Sequence, residues 1–131
     1  MASVHREIVV ARSAAEAWDA LADVGALHTR LVRGFVTDCK LESGARVVTF
    51  ANGMVARELI VSVDVERRRV AWSVVGGRLS HHNASAQAFE HGERACRIVW
   101  IADFLPDEHA AQIATMIDHG LAAMKRTLEA T

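Results

Sequence analysis

The sequence predicts an α+β fold: a seven-stranded, curved antiparallel sheet wrapped around one long C-terminal helix, with two short helices inserted between strands 1 and 2. Two observations carry this expectation. The first is the stretch from Pro106 to Glu129, where Ile113, Met116, Ile117, Gly120, Leu121, Met124 and Leu128 recur at three- and four-residue steps, with Asp118, His119, Lys125 and Arg126 on the other side. That spacing makes a long amphipathic helix, and its apolar stripe needs something of equal length to cover it. The second is the regular punctuation from Gly34 onward, where short apolar runs alternate with tight, glycine-bearing turns.

The elements follow in order. Val4 to Ala11 reads as a first strand ending at Ser13. Ser13 with Glu16 three residues later is a capping box, which satisfies two orphan N–H groups and opens a helix over Ala14 to Ala22. Asp23 and Gly25 end it, and a second short helix over Val24 to Leu31 leads through Arg33 and Gly34 into the sheet. Strands are then expected at Phe35–Leu41, Arg46–Ala51, Val55–Val63, Arg69–Val75, Ser80–Glu90 and Arg94–Leu105. Every link between them is short, so neighbours should pair antiparallel. Asn52-Gly53 reads as a type I′ hairpin turn, since both residues tolerate positive φ. In the last helix Pro106 suits the first turn, and Lys125 and Arg126 complement the negative end.

Composition bounds the function. The 131 residues are 51% hydrophobic with one proline, enough for a single domain with a real core, assigned to 1–131. A net charge of −1 and a pI near 6.6 give no bulk attraction for nucleic acid or anionic membrane. There is no signal-peptide pattern at the start and no apolar run long enough to cross a bilayer, so a cytoplasmic location and no membrane insertion are expected. Cys39 and Cys96 lack metal or redox spacing and read as buried reduced thiols. His81 and His82 point to opposite faces of a strand, and no HxH or HxxxH spacing occurs, so no metal and no cofactor is expected. Gly76-Gly77 is a hairpin turn rather than a dinucleotide fingerprint, and the run Arg67-Arg68-Arg69 has no interleaved aromatic residue that would stack on bases.

Strand alternation says which side chains face the helix. In Ser80 to Glu90, His82, Ala84, Ala86 and Ala88 share one parity. Alanines where leucine-sized side chains normally fill a core leave room, and an unfilled leucine-to-alanine vacancy costs about 2–5 kcal/mol. Either the helix sits close on the small residues or a cavity remains; Gly120 on the helix fits both. The same alternation places Arg33 with Phe35, Val48 with Phe50, Ala56 with Glu58, and Trp72 with Val74 inward, and Trp100 is assigned inward on the last strand. Together with Met116 and Met124 these make an apolar wall with few polar guests, the usual lining of a small-molecule pocket and equally of a plain core. Glu58, mid-strand among apolar residues, must be paired, hydrated or held neutral. Arg46 and Arg33 are the available cations, and Glu58 serves either as one half of an ion pair or as a ligand anchor or general acid/base. His82 is either a satisfied core residue or a second general acid/base candidate.

The order strand, two short helices, six strands, long helix resembles the helix-grip fold of the SRPBCC (START-like, birch-pollen-allergen-like) superfamily over essentially the whole chain. The nearest likeness is to its polyketide cyclase/lipid-transport-like and abscisic-acid-receptor-like branch, carried by Phe35-Val36-Thr37-Asp38-Cys39, by Arg57-Glu58-Leu59 with Asp64, and by Val74-Val75-Gly76-Gly77 followed by Asn83. The resemblance implies an internal cavity. In the receptors a glutamate at the position of Glu58 looks into the pocket and binds ligand through water, and a lysine at the position of Arg33 meets the ligand's carboxylate. The chain departs from them at the gate, cut to Ala51-Asn52-Gly53-Met54, at the latch, here Leu79, Ser80 and His81, and at Ala84 and Ala86, where they carry tyrosine and serine. Gate-closing hormone sensing is therefore not expected. The expectation is binding of a small hydrophobic or amphipathic ligand by a monomer or homodimer. A cyclase/dehydratase-like enzyme using Glu58 or His82 is the alternative, and an interaction module like the co-chaperone branch a third.

Overall fold

A computed structural model describes residues 2–131. The chain runs β1 (Ala2–Val10), α1 (Ala14–Ala22), a π-helical turn (Leu27–Leu31), β2 (Val36–Glu42), β3 (Ala45–Phe50), β4 (Val55–Asp64), β5 (Arg69–Val75), β6 (His81–Glu90), β7 (Cys96–Leu105), a 3-10 turn (Asp107–His109) and α2 (Ala110–Glu129). The strands form one antiparallel sheet in the order β1-β7-β6-β5-β4-β3-β2. Sequential hairpins build β2 through β7, and β1 closes the far edge by pairing with β7. This is the helix-grip arrangement, with α2 on the concave face.

Local chemistry explains the elements. Ser13 Oγ accepts from the Glu16 N–H at 3.2 Å and Glu16 Oε1 accepts from the Ser13 N–H at 3.2 Å, so the capping box forms as the sequence requires. Ala14, Ala17, Ala20 and Leu21 are the buried face of α1. Along α2, the buried residues Ile113, Ile117, Gly120, Leu121, Met124 and Leu128 follow the predicted stripe. Cys39 and Cys96 are buried free thiols. Among the described residues no helix is long and apolar enough to cross a membrane.

Three local expectations are corrected. Pro106 is not in the first turn of the long helix: its ψ of 158° is extended, a 3-10 turn follows, and α2 begins at Ala110. The second short helix is present but starts later than expected, as a single π-helical turn over Leu27–Leu31 closed by the Val32 N–H donating to Leu27 O at 2.8 Å. The β3–β4 turn is not type I′, because Gly53 (φ 89°) has positive φ and Asn52 does not. The Gly53 N–H donates to Phe50 O and the Phe50 N–H to Met54 O, giving a three-residue loop with one left-handed residue. Asn52 adds its own side-chain oxygen as acceptor for the Met54 N–H at 3.0 Å. Here the side chain stabilises a turn that needs only one glycine-like position.

Candidate functional site

Sheet curvature and a helix that approaches β1 and the π turn most closely leave a cavity of about 570 Å³ between α2 and the concave face of β3–β7. That is within the range of small-ligand sites, roughly 300–1,000 Å³. Its floor is Leu21, Leu27, Leu31 and Val32, and its mouth lies between the β3–β4 turn, the β5–β6 turn and the N-terminal half of α2.

Twelve of the fifteen residues expected inward line this space: Phe35, Val48, Phe50, Ala56, Glu58, Trp72, Val74, His82, Ala86, Trp100, Met116 and Met124. The aromatics pack edge to face, Phe35 on Phe50 at 5.5 Å and Trp72 on Trp100 at 5.8 Å between ring centres. Such pairs set the wall's shape more firmly than aliphatic contacts do.

The other three lie elsewhere. Arg33 is exposed, its backbone N–H donating to Thr127 Oγ1 at 3.0 Å and its Nε to Thr29 O at 2.7 Å. The alternation that placed it inward fails because β2 begins only at Val36, after Gly34 adopts φ 82°. Ala84 is buried, opposite Ala102 and Trp72 in the sheet, but outside the lining. Gly120 is a contact point rather than wall: a Cβ built on it would stand 2.7 Å from the Trp100 ring and 3.2 Å from Phe35. The helix therefore touches the sheet's aromatics at Gly120 and stands off toward its N-terminal end. Gly120→Ala is expected to cost about 1–2 kcal/mol in a urea titration even though alanine gains about 1 kcal/mol in helix propensity. The displaced Trp100 ring should alter the near-UV circular dichroism.

Arg46 is the wall residue that the inward set lacked. It shares the parity of Val48 and Phe50 and is the register partner of Glu58, so the same alternation points to it. Its Nε donates to Glu58 Oε1 at 2.8 Å, its Nη1 donates to Val24 O at 3.1 Å, and its guanidinium lies 5.4 Å from the Trp72 ring centre. Arg46 is 3% exposed and Glu58 6%, so this is a buried ion pair. Burial holds the Glu58 carboxyl above the ordinary carboxylate range, with the Arg46 charge and hydrogen bond opposing it. Glu58 Oε2 has no hydrogen-bond partner among the described residues and is not sealed off from the cavity. Around the mouth, His109, Gln112 and His119 sit at helical spacing with Met116, and Met54, Val55, Arg78 and Leu79 complete the rim. Periodicity set His119 on the side away from the apolar stripe; the structure instead brings it to the rim, one helical turn from Met116.

His82 holds the remaining polar position. β5 and β6 pair from Arg69↔Gln87 to Trp72↔Ala84, and beyond that point the ladder gives way to side chains. The Val74 N–H donates to His82 Nδ1 at 3.0 Å, and Ser73 Oγ donates to His82 O. An Nδ1 that accepts leaves the proton on Nε2, so the ring is a neutral donor toward the cavity. Burial pushes its pKa down from 6.5 to about 4, with His81 adding to the fall and Asp103 opposing it. A histidine depressed on folding contributes stability present above the unfolded value and lost as pH falls through the folded one. Raised Glu58 works in the opposite direction, so comparison with a variant is needed to isolate His82. Between about pH 7.5 and pH 4.5, wild type is expected to lose roughly 2 kcal/mol more than His82→Gln, read from urea midpoints. Equal losses would show that the imidazole titrates freely.

Among the described residues no group of three histidine, cysteine, aspartate or glutamate side chains is placed to hold a metal ion.

A cavity gripped between a curved seven-stranded sheet and a C-terminal helix defines a helix-grip protein of the SRPBCC superfamily. The family model described as polyketide cyclase / dehydrase and lipid transport matches residues 1–129, and the chain belongs to that family. No curated protein matches it. Among solved structures, an uncharacterised protein from Bacillus thuringiensis is similar over 97% of this chain and 98% of its own, at 17% identity and a TM-score of 0.86. Norcoclaurine synthase from Thalictrum flavum, in complex with dopamine and hydroxybenzaldehyde, is similar over 98% of this chain and 84% of its own, at 21% identity and 0.75. The di-domain ARO/CYC protein BexL matches 98% of this chain with 47% of its own length, at 12% identity and 0.81. At these identities the structural likenesses establish the fold.

Proposed function

We propose that the protein binds a small hydrophobic or amphipathic metabolite between sheet and helix, as a carrier or sensor. One observation carries the reading: a cavity of about 570 Å³ with a largely apolar wall remains inside a domain this small. Protein interiors otherwise pack like organic crystals, so space on this scale is costly unless something occupies it. The rim at Met54, Val55 and Leu79 is apolar, which suits passage of a ligand that avoids water. Norcoclaurine synthase, solved with two small aromatic compounds, supports ligand use of this fold.

Native mass spectrometry of the gently purified protein tests the reading, together with fluorescence titration with the neutral dye Nile red. A small-molecule adduct at equal stoichiometry, or saturable dye binding, is expected. Absence of both overturns it.

A second reading, a cyclase/dehydratase-like enzyme, is favoured by the buried Glu58, a carboxyl that burial holds above the ordinary carboxylate range in the wall of the cavity, where a general acid/base would stand. The family description and the likeness to the ARO/CYC protein support it. In that case Glu58→Gln abolishes turnover of an identified substrate while its binding stays measurable; unchanged turnover removes Glu58 from the chemistry.

A further inference from the structure

Resting on the cavity as a ligand site, we infer that its inner wall selects an uncharged ligand bearing an acceptor oxygen and a hydroxyl group, and rejects the carboxylate of the same skeleton. The charges in the wall are already balanced. Arg46 gives Nε to Glu58 and Nη1 to Val24 O, its Nη2 has no partner among the described residues, and Glu58 answers the guanidinium charge at 2.8 Å. Arg33, the other cation that could have met an anion, is exposed and outside the lining. Arg78 reaches only the mouth, on the exposed β5–β6 turn. His82 cannot supply the charge either, because a proton on Nδ1 would face the Val74 N–H that Nδ1 now accepts. A carboxylate placed inside would therefore meet the Glu58 carboxylate with no free cation to offset the burial of its charge.

The same residues offer neutral recognition. His82 Nε2–H is a donor and Glu58 Oε2 an acceptor, neither with a partner among the described residues and neither enclosed. Their spacing is set by the sheet. Glu58 is the register partner of Val74, and Val74 is hydrogen-bonded to His82, so the two lie on one transverse row, two strands apart. Two strand spacings amount to about 10 Å between their backbones. Side chains converging from that distance suit a ring system with a carbonyl on one edge and a hydroxyl on another. Trp72 and Trp100 offer flat surfaces beside that row.

The test uses hydroxyacetonaphthone and the matching hydroxynaphthoic acid, each competed against Nile red near neutral pH. Wild type is expected to bind the ketone tighter by on the order of tenfold or more. Glu58→Gln uncovers the Arg46 charge, so the preference should reverse toward the acid. His82→Leu should weaken the ketone several-fold with little change for Nile red, whereas His82→Gln, which still accepts from Val74 and donates to the cavity, should restore it. Equal or tighter binding of the acid by wild type overturns the inference, and so does a Glu58→Gln protein, folded by near-UV circular dichroism, that keeps the wild-type preference. The wild-type comparison stands alone if that variant does not fold. Failure of wild type to bind Nile red, together with the absence of any small-molecule adduct in native mass spectrometry, removes the ligand-site reading itself, which separates the two outcomes.

Discussion

Arg46→Met is expected to lower the folding free energy by about 3–5 kcal/mol, because it strands the Glu58 carboxylate in a buried site without a cation. The side chains are 4% and 8% exposed, so water in the cavity replaces only part of what the guanidinium supplies. Arg46 also closes on Val24 O and on the Trp72 ring, tying β3 to the segment after α1, and those contacts go with it. The double variant Arg46→Met, Glu58→Leu should recover most of the loss, since an apolar pair of similar size removes the unpaired charge. Urea unfolding of the two single variants and the double variant checks this. Additive losses would mean that the pair is not coupled.

Ala86→Phe is expected to have the largest effect on binding. Ala86 lines the cavity opposite Trp100 in the sheet, and a phenyl ring there would project into space a ligand would occupy. Nile red affinity should fall by on the order of a hundredfold, while stability holds or rises by about 0.5–2 kcal/mol, as cavity-filling substitutions commonly allow. Dye binding at wild-type affinity would place the dye outside this cavity. A large stability loss would show that the wall at Ala86 is tightly packed. The contrast with Arg46→Met is informative: one substitution attacks the frame of the cavity and the other its contents.

How far these residues could be read in advance depends on the range of the signal. Strand parity is local, and it found Val48, Phe50, Ala56, Glu58, Trp72, Val74, Ala86 and Trp100, all of which line the cavity. Parity misled at Arg33, where Gly34 with positive φ breaks the alternation before β2 begins. Arg46 obeyed the same parity and was one of two cations available to Glu58; its register with Glu58 and the 2.8 Å contact show that the ion pair forms with Arg46 and not with Arg33. Gly120 had two readings because helix periodicity gives direction without depth; only the distance to the Trp100 ring shows that it is the point of contact.

By itself the sequence determined the element order, the antiparallel pairing, the capping box at Ser13 and the apolar stripe of α2, because each depends on residues a few positions apart. Tertiary structure alone decided how far α2 stands from the sheet, that Arg46 and Glu58 neutralise one another, and that His82 lends its Nδ1 to Val74. Those outcomes depend on distances between segments remote in the chain, and whether a buried charge is balanced or a hollow left open is set by such distances to within an ångström or so.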